Sequence, residues 1–430
     1  MIQTKIASRL ARPVARGYAS VTGSGAAAVS TANGIKVCAV GGGDSAVASV
    51  SLVVKAGARF EEAESAGAAH YLKAFGFRNT QDRTSFRMIR EAELNGATLQ
   101  AEATRETITY TVQCFRDAVP YFVDVLAQVA TATKFAEHEF RDVARLVALE
   151  AHSARADPAT LALGGVHQAA FRSGLGNSLY APAASPVATG DAVRHYAQTM
   201  LVGARVAVVG TGVDADVLAK LVGESKLAEL PAAAPVAPGA DAKAVFMGGA
   251  QQVYESASGV SHYALAFGCE PQSAHTLSSL LGVQRRVKWS SGVSALAQLA
   301  AAEGIRAEAF SFAYSDAGLV GVLVSAPTTQ IKAAVEKVAA TIQKDVANAA
   351  PDAVQRAAAA AAVDAADAMA TQRGQLRALG SIALGHPKAA LAAIDAAALT
   401  AAAKTVFKSK PVAASVGLSQ ATAYVDTLGF

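Results

Sequence analysis

The sequence has few cysteines and no long apolar run, and each shortage excludes a class of protein. Its cysteines are Cys38, Cys114 and Cys269, and no two of them stand in a CxxC or CxxCH spacing. Neither an iron–sulfur cluster nor covalently attached haem is therefore expected, and each cysteine is predicted to be a small buried apolar residue rather than half of a disulfide. No uncharged apolar run reaches the roughly 18 residues that suggest a membrane-spanning helix, so we predict none.

Acidic residues are also missing from the start of the chain, where none precedes Asp44. The same region is rich in arginine, which is typical of a mitochondrial transit peptide. We predict that residues 1–18 are such a peptide and that cleavage follows Tyr18 in the segment RGYAS. A disordered basic arm is the alternative. The basic residues of this segment are Lys5, Arg9, Arg12 and Arg16.

Removal of that peptide would also remove the positive net charge. The whole chain has 38 Lys+Arg against 34 Asp+Glu, and without the four basic residues both numbers are 34. A neutral protein offers no electrostatic basis for binding nucleic acid, so we expect no nucleic-acid partner.

The sequence does contain an order of elements that occurs twice. In the first half, Ala48–Gly57 alternates like a strand, and Ala97–Phe115 has the threonine and aromatic content of two paired strands. Gly259–Gly268 and Ile305–Ala326 repeat this strand and hairpin in the second half. The segment between the halves, Gly223–Lys243, is rich in proline and alanine and is predicted to be a linker.

Helices and chain-end units also recur. Lys134–Pro158 and Asp352–Leu379 are predicted helices, the second because of its alanine content. Ala204–Val222 and Pro411–Leu428 each read as a strand, a turn and a helix. A repeat this long indicates a duplicated domain. We predict an α+β fold of two homologous domains, each a mostly antiparallel sheet packed with helices, at residues 19–222 and 244–430 with the linker at 223–243.

Several separated segments carry a resemblance to a known family. They are AGARFE, GAAHYLKAFGFRNTQDRT, NGATLQAEATRET and LEAHSARADP in the first half, and AYSDAGLVGV in the second. In this order and spacing they resemble the inverted-zincin peptidase family, which includes the mitochondrial processing peptidase. The resemblance implies a catalytic zinc in those members that are active.

The residues that would form the zinc site are changed in this chain. The resemblance places His70 on the first zinc ligand, Lys73 on the general base, Ala74 on the second histidine ligand and Glu150 on the carboxylate ligand. A catalytic zinc needs three protein ligands and a position for water, and only two of these residues are donors to zinc. Lys73 would put a positive charge beside the metal and cannot take a proton from water as a carboxylate does. We therefore predict no metal, no cofactor and no catalytic residue; a two-ligand site, or one completed by a partner, is the alternative.

The segment AEATRE, Ala101–Glu106, has two interpretations. In active members of the family this edge strand holds an extended peptide by strand addition. Here it is either a docking edge for a segment of a partner or a sheet edge packed inside the protein. The sequence leaves both interpretations open.

The second half of the chain indicates which members of the family it resembles most. The non-catalytic subunit of the processing peptidase is recognised by a loop of consecutive glycines, which Ser279–Val322 lacks. This stretch instead resembles the core subunits of ubiquinol–cytochrome c reductase, respiratory complex III. A basic cluster, Arg285, Arg286 and Lys288 beside Trp289, fits that resemblance, although a solvated loop around a packed tryptophan would explain it as well.

That resemblance implies a function through surfaces rather than through catalysis. We expect a non-enzymatic structural subunit, needed for the assembly and stability of complex III and peripheral to the mitochondrial inner membrane on the matrix side. The implied partners are core protein 1, cytochrome b, cytochrome c1 and the Rieske protein. The alternative is the non-catalytic, substrate-recognising subunit of the mitochondrial processing peptidase.

Overall fold

The structure of the chain is a computed structural model that describes residues 26–30 (backbone only), 34–41, 45–233, 242–282, 289–290, 292–385 and 396–430. The predicted transit peptide, residues 234–241 of the predicted linker and residues 285–288 of the basic cluster lie outside the described residues. The domain boundaries given above therefore remain predictions.

The first half forms a six-stranded mixed sheet in the order β1–β2–β6–β3–β5–β4, in which the β2–β6 pair is parallel and the other pairs are antiparallel. The central strand β3, VASVSLVV, is buried on both faces over most of its length, which explains why most of its residues are apolar and the rest are small serines. The strands are β1 (Ala26–Ser30), β2 (Lys36–Val40), β3 (Val47–Val54), β4 (Thr98–Ala103), β5 (Ile108–Phe115) and β6 (Val206–Thr211).

The second half repeats this sheet with one strand fewer. Its order is β7–β11–β8–β10–β9, with β7 parallel to β11 and the other pairs antiparallel. Strand by strand, β7 matches β2 and β11 matches β6, and no described strand matches β1. The strands are β7 (Gln251–Glu255), β8 (Val260–Cys269), β9 (Arg306–Ala313), β10 (Gly318–Pro327) and β11 (Val412–Gly417).

Helices cover the sheets of both halves. Those of the first half are α1 (Ala68–Ala74), α2 (Ser85–Leu94), α3 (Val119–Thr131), α4 (Glu137–Ala156), α5 (Pro158–Phe171), α6 (Gly190–Met200) and α7 (Ala215–Glu224). Those of the second half are α8 (Ala274–Leu281), α9 (Ala295–Glu303), α10 (Ile331–Thr341), α11 (Pro351–Ala370), α12 (Gln372–Ala383) and α13 (Ala396–Val406). The predicted α+β fold of two similar sheet-and-helix halves is confirmed.

One helix of each half packs against the sheet of the other half, and we call these two the exchanged helices. Helix α5 packs against β7, β8 and β11, where Val166 and Phe171 enter a buried apolar cluster. Helix α12 packs against β2, β3 and β6, where Leu376 and Leu379 are buried. The apolar cores of the two halves are therefore shared rather than separate.

Glycine permits the close approach of each exchanged helix. A Cβ on Gly165 of α5 would lie 3.0 Å from the Cβ of Ala414 and 2.6 Å from the ring of Tyr254. A Cβ on Gly380 of α12 would lie 3.2 Å from a methyl group of Val53. A larger residue at position 165 would push helix and sheet apart, whereas one at position 380 would press against the Val53 side chain.

Two predicted elements differ from the structure. The single helix predicted over Asp352–Leu379 is wrong, because the chain turns to extended geometry at Thr371, whose hydroxyl caps α12 by accepting a hydrogen bond from the Gly374 N–H. The helix predicted within Pro411–Leu428 is also wrong: 3-10 turns follow β11. There the Thr422 hydroxyl bonds to the Ser419 carbonyl, an alternative to the α-helical pattern that Ser and Thr offer.

Candidate functional site

Helix α1 carries three of the four positions of the degenerate zinc motif. Its first backbone N–H groups have no partner within the helix. The Glu61 carboxylate accepts hydrogen bonds from the Gly67 N–H at 2.9 Å and the Ala69 N–H at 2.7 Å. Burial raises the pKa of Glu61 to about 7, against the opposing effect of these two bonds. The helix is thereby fixed at the end nearest His70.

The His70 imidazole is buried, and both of its nitrogens have partners. Nδ1 accepts a hydrogen bond from the Ala181 backbone N–H at 3.2 Å, so the ring proton belongs on Nε2. Nε2 then donates to Glu150 Oε2 at 2.6 Å. Burial lowers the pKa of His70, and the bond to Glu150 offsets this only in part, which favours the neutral ring. The edge-on ring of Tyr180 adds a contact with a centroid separation of 5.5 Å.

Lys73 binds the same carboxylate oxygen as His70. Its Nζ lies 2.5 Å from Glu150 Oε2, in a pair whose side chains are 19% and 33% exposed. Burial by itself would raise the pKa of Glu150, but the hydrogen bonds from His70 and Lys73 hold it below its ordinary value. The carboxylate is therefore ionised at neutral pH, and the Lys73 ammonium balances its charge.

These residues do not fit a catalytic zinc. Zinc binds histidine nitrogen and carboxylate oxygen at about 2.0–2.2 Å from each, and here the two atoms contact each other at 2.6 Å. Ala74 offers a buried methyl group in place of a ligand. The Lys73 ammonium lies on the carboxylate where a cation would bind. Across the part of the chain that the structure describes, no group of three His, Cys, Asp or Glu side chains could hold a metal ion.

The predicted edge segment Ala101–Glu106 faces the other half of the molecule. Strand β4 ends the first sheet and borders a cavity of about 800 Å³, which β9 and α12 of the second half also line. Glu102 accepts hydrogen bonds across this cavity from Arg373 and, at 3.0 Å, from Arg377. The two interpretations of the segment remain predictions, since an internal edge beside a cavity is compatible with either.

An ion network that was not predicted from the sequence joins the halves beside this cavity. The buried Arg59 guanidinium donates to Glu106 at 2.7 Å and to both carboxylate oxygens of Asp316. Glu106 also accepts from the Ser315 hydroxyl at 2.6 Å. Burial works against the charge of Asp316, but the bonds from Arg59 and the Ala244 N–H hold the pKa of Asp316 below its ordinary value. A signal was present, because each ion comes from one of the segments that carry the resemblance: AGARFE, NGATLQAEATRET and AYSDAGLVGV.

Comparison with known proteins assigns the family. Residues 42–183 match the model of the insulinase family, peptidase family M16. A protein of Cryptococcus neoformans named cytochrome b-c1 complex subunit 2, mitochondrial, is 35% identical over 399 residues, which is 90% of this chain and 91% of that protein. The chain belongs to the M16-type cytochrome b-c1 complex subunit 2 family.

Other relatives agree with this assignment. The human protein of the same name is 30% identical over 89% of this chain and 88% of its own length. An Arabidopsis thaliana protein named as a probable mitochondrial-processing peptidase subunit alpha-2 is 31% identical, but over 51% of this chain and 43% of its own length. The cytochrome b-c1 subunit 2 family thus shares both halves with this chain. Among the described residues, no helix combines the length and apolar character needed to cross a membrane.

Proposed function

We propose that the chain is a non-catalytic structural subunit of the mitochondrial cytochrome b-c1 complex, ubiquinol–cytochrome c reductase. The observation that carries this proposal is the similarity along nine-tenths of the chain to proteins named as subunit 2 of that complex. The processing-peptidase role is not favoured, because the similarity to a named peptidase subunit covers about half of the chain.

The site geometry supports the absence of peptidase activity. A peptidase of this type needs a metal-bound water and a base to take its proton. In this chain the base position is the Lys73 ammonium, which is already bound to Glu150, and the His70 nitrogen that would face a metal donates to the same carboxylate. Loss of a general base alone costs about 10²–10⁴ in rate, and loss of the metal removes the nucleophile as well.

The proposed place of the chain follows from its family. We expect core protein 1, of similar fold, as its principal partner, with cytochrome b, cytochrome c1 and the Rieske protein as further neighbours. The matrix side of the inner membrane is the proposed location, reached through a transit peptide cleaved after Tyr18. Permanent interfaces of this kind typically bury more than about 2,000 Å².

Gene deletion with complementation tests the proposal. Without the chain, assembled complex III should fall, as seen in native gels and in the absorbance of its haems, while removal of presequences from other mitochondrial precursors should continue. A His70→Gln variant, which removes a remaining zinc-type ligand and keeps a donor toward Glu150, should restore the complex. If deletion blocked presequence removal while complex III persisted, the chain would be a processing-peptidase subunit instead.

A further inference from the structure

The two sheets differ at one edge. In the first sheet, β1 pairs with β2 along five residues, from Ala26↔Val40 to Ser30↔Lys36. In the second sheet, β7 occupies the place of β2. The first residue of each strand lies beside the second residue of its parallel partner: Lys36 of β2 beside Ala207 of β6, and Gln251 of β7 beside Ala413 of β11. We match the two sheets residue by residue on this basis. Val253 therefore corresponds to Cys38, and no described strand pairs with the outer edge of β7.

The backbone of β7 presents free hydrogen-bonding groups at that edge. The bonds to β11 include Ala413 N–H to the Ala250 carbonyl and Ser256 N–H to the Gly417 carbonyl. Because successive residues of a strand point their N–H and C=O groups to opposite sides, these bonds direct the groups of Gln251, Val253 and Glu255 outward. Within the described part of the chain, no backbone group forms a hydrogen bond with the outward N–H and C=O groups of these three residues.

This edge lacks several of the features that keep exposed edges from pairing, although it is five residues long and ends in the charged Glu255. Natural edges carry lysine, proline or a bulge, or lie under other elements. Strand β7 reads QQVYE, with neither lysine nor proline. The opposite edges, β4 and β9, face the cavity between the halves. Val253 of β7 is 38% exposed, and Tyr424, which follows β11 in the chain, is 61% exposed. The Gln251 side chain donates to the Ala423 carbonyl and accepts from the Val425 N–H, and so holds the segment after β11 against β7.

We propose that the outer edge of β7 receives an extended segment of another polypeptide, which adds a sixth strand antiparallel to β7. The β1–β2 pair supplies the geometry: about five residues without proline, with a small apolar residue opposite Val253, where β1 has Ala28 opposite Cys38. The N-terminal end of the added strand would lie beside the exposed Glu255, which favours a lysine or arginine there. The inference that this segment belongs to a subunit of the cytochrome b-c1 complex rests on the proposed function. The inference that the edge of β7 pairs with an added strand does not.

Hydrogen exchange tests the edge without assuming the partner. The full-length chain would be measured alone and in the assembly that it forms in mitochondria, whatever the members of that assembly. The amides of Val253 and Glu255 should exchange at least tenfold more slowly in the assembly. Equal rates in the two states would overturn the proposal, and protection already present in the chain alone would mean that its own residues cover the edge, which also overturns it.

A proline substitution tests the pairing itself. Val253→Pro removes an outward N–H without removing a bond to β11, so the thermal unfolding temperature of the free chain should change little while its incorporation into the assembly falls severalfold. Val253→Thr keeps the N–H and should incorporate normally. If Val253→Pro does not fold, Val253→Lys serves instead, because a lysine blunts an edge without altering the backbone.

Two outcomes of this second experiment contradict the proposal. Normal incorporation of a folded Val253→Pro or Val253→Lys chain would show that the edge is not used. A purified wild-type chain that is dimeric in light scattering, and that either variant makes monomeric, would show that a second copy of the chain occupies the edge instead.

Discussion

Arg59 and Asp316 form a two-bond ion pair across the boundary of the two halves, with Nη1–Oδ1 at 2.7 Å and Nη2–Oδ2 at 2.6 Å. Arg59 follows β3 of the first sheet, and Asp316 lies in the turn between β9 and β10 of the second. The planar guanidinium matches the carboxylate in both distance and direction, so the pair fixes orientation as well as separation. Glu106, also bound to Arg59, completes a network that joins the halves beside the cavity.

Replacing Arg59 should be strongly destabilising. In Arg59→Met, the buried Glu106 carboxylate loses the Arg59 guanidinium, and we expect the free energy of unfolding to fall by about 3–5 kcal/mol. Urea titration of the full chain measures this. Combination with Asp316→Asn in a double-mutant cycle should give a coupling energy of about 1–3 kcal/mol.

The matched control is another arginine in an ion pair. Arg145 is 86% exposed and lies 4.0 Å from Asp142, so Arg145→Met should change stability little. If Arg59→Met were as mild as this control, the network would not hold the halves together.

Because each exchanged helix is buried against the sheet of the other half, we predict that the two halves unfold together. Leu379 of α12 is buried against the sheet of the first half, so Leu379→Ala should cost about 2–5 kcal/mol and should weaken protection from hydrogen exchange in both sheets. Leu149→Ala, at a position 62% exposed, is the control and should leave both sheets unchanged. Two separate calorimetric transitions in the wild-type chain would contradict this shared-core description.

Much of the fold could be predicted because its strongest signals are local. The strand of Ala48–Gly57 and the hairpin of Ala97–Phe115 are visible as patterns of apolar and β-branched residues, and the structure places β3, β4 and β5 there. Strands β2 and β7 were not predicted. Each is five residues long, and its place in the sheet depends on a parallel partner far along the chain. The break at Thr371 was hidden because helix-forming residues stand on both sides of it, mostly alanine before it and Gln, Arg and Leu after it.

The site could be predicted in composition but not in geometry. The resemblance identified His70, Lys73 and Glu150 as members of one site, and the structure brings all three together. The sequence could not show that His70 and Lys73 share one oxygen of Glu150, because that depends on where α4 lies against α1. The Arg59–Asp316 pair was missed for the same reason, since its residues are 257 positions apart.

Zinc binding should require two substitutions rather than one. The wild-type chain and Lys73→Glu should hold no stoichiometric zinc after dialysis, because neither has a histidine at position 74. Lys73→Glu combined with Ala74→His provides the missing ligand and removes the competing ammonium, so tightly bound zinc close to one per chain is expected. Elemental analysis measures the metal, and circular dichroism checks that each variant is folded.

The control for this experiment is the same double variant with His70→Gln added. That chain loses one of the three ligands, so its zinc content should return to the wild-type level. Stoichiometric zinc in the unmodified wild-type chain would contradict the conclusion drawn from the contact between His70 and Glu150.

The pH dependence of stability should contain opposite contributions from two buried groups. The pKa of His70 is lowered in the folded chain, mainly by burial. The contribution of His70 to the free energy of unfolding is therefore complete above its ordinary pKa of 6.5 and is lost as the pH falls below that value. The reason is that the unfolded chain takes up a proton there that the folded chain does not. The pKa of Glu61 is raised from 4.5 to about 7, again by burial. Its contribution is complete below pH 4.5 and is lost as the pH rises toward 7.

Variants separate these two contributions. The free energy of unfolding would be measured by urea titration at intervals from pH 8 to pH 5 for the wild type, His70→Gln and Glu61→Gln. Because His70→Gln lacks the titrating ring, its stability relative to the wild type should improve as the pH falls. Glu61→Gln should show the reverse, with its relative stability worsening toward pH 5, since the wild type gains stability there by protonation. Curves for His70→Gln and the wild type that stay parallel across this range would mean that His70 titrates alike in the folded and unfolded chains, contrary to its burial against Ala181 and Glu150.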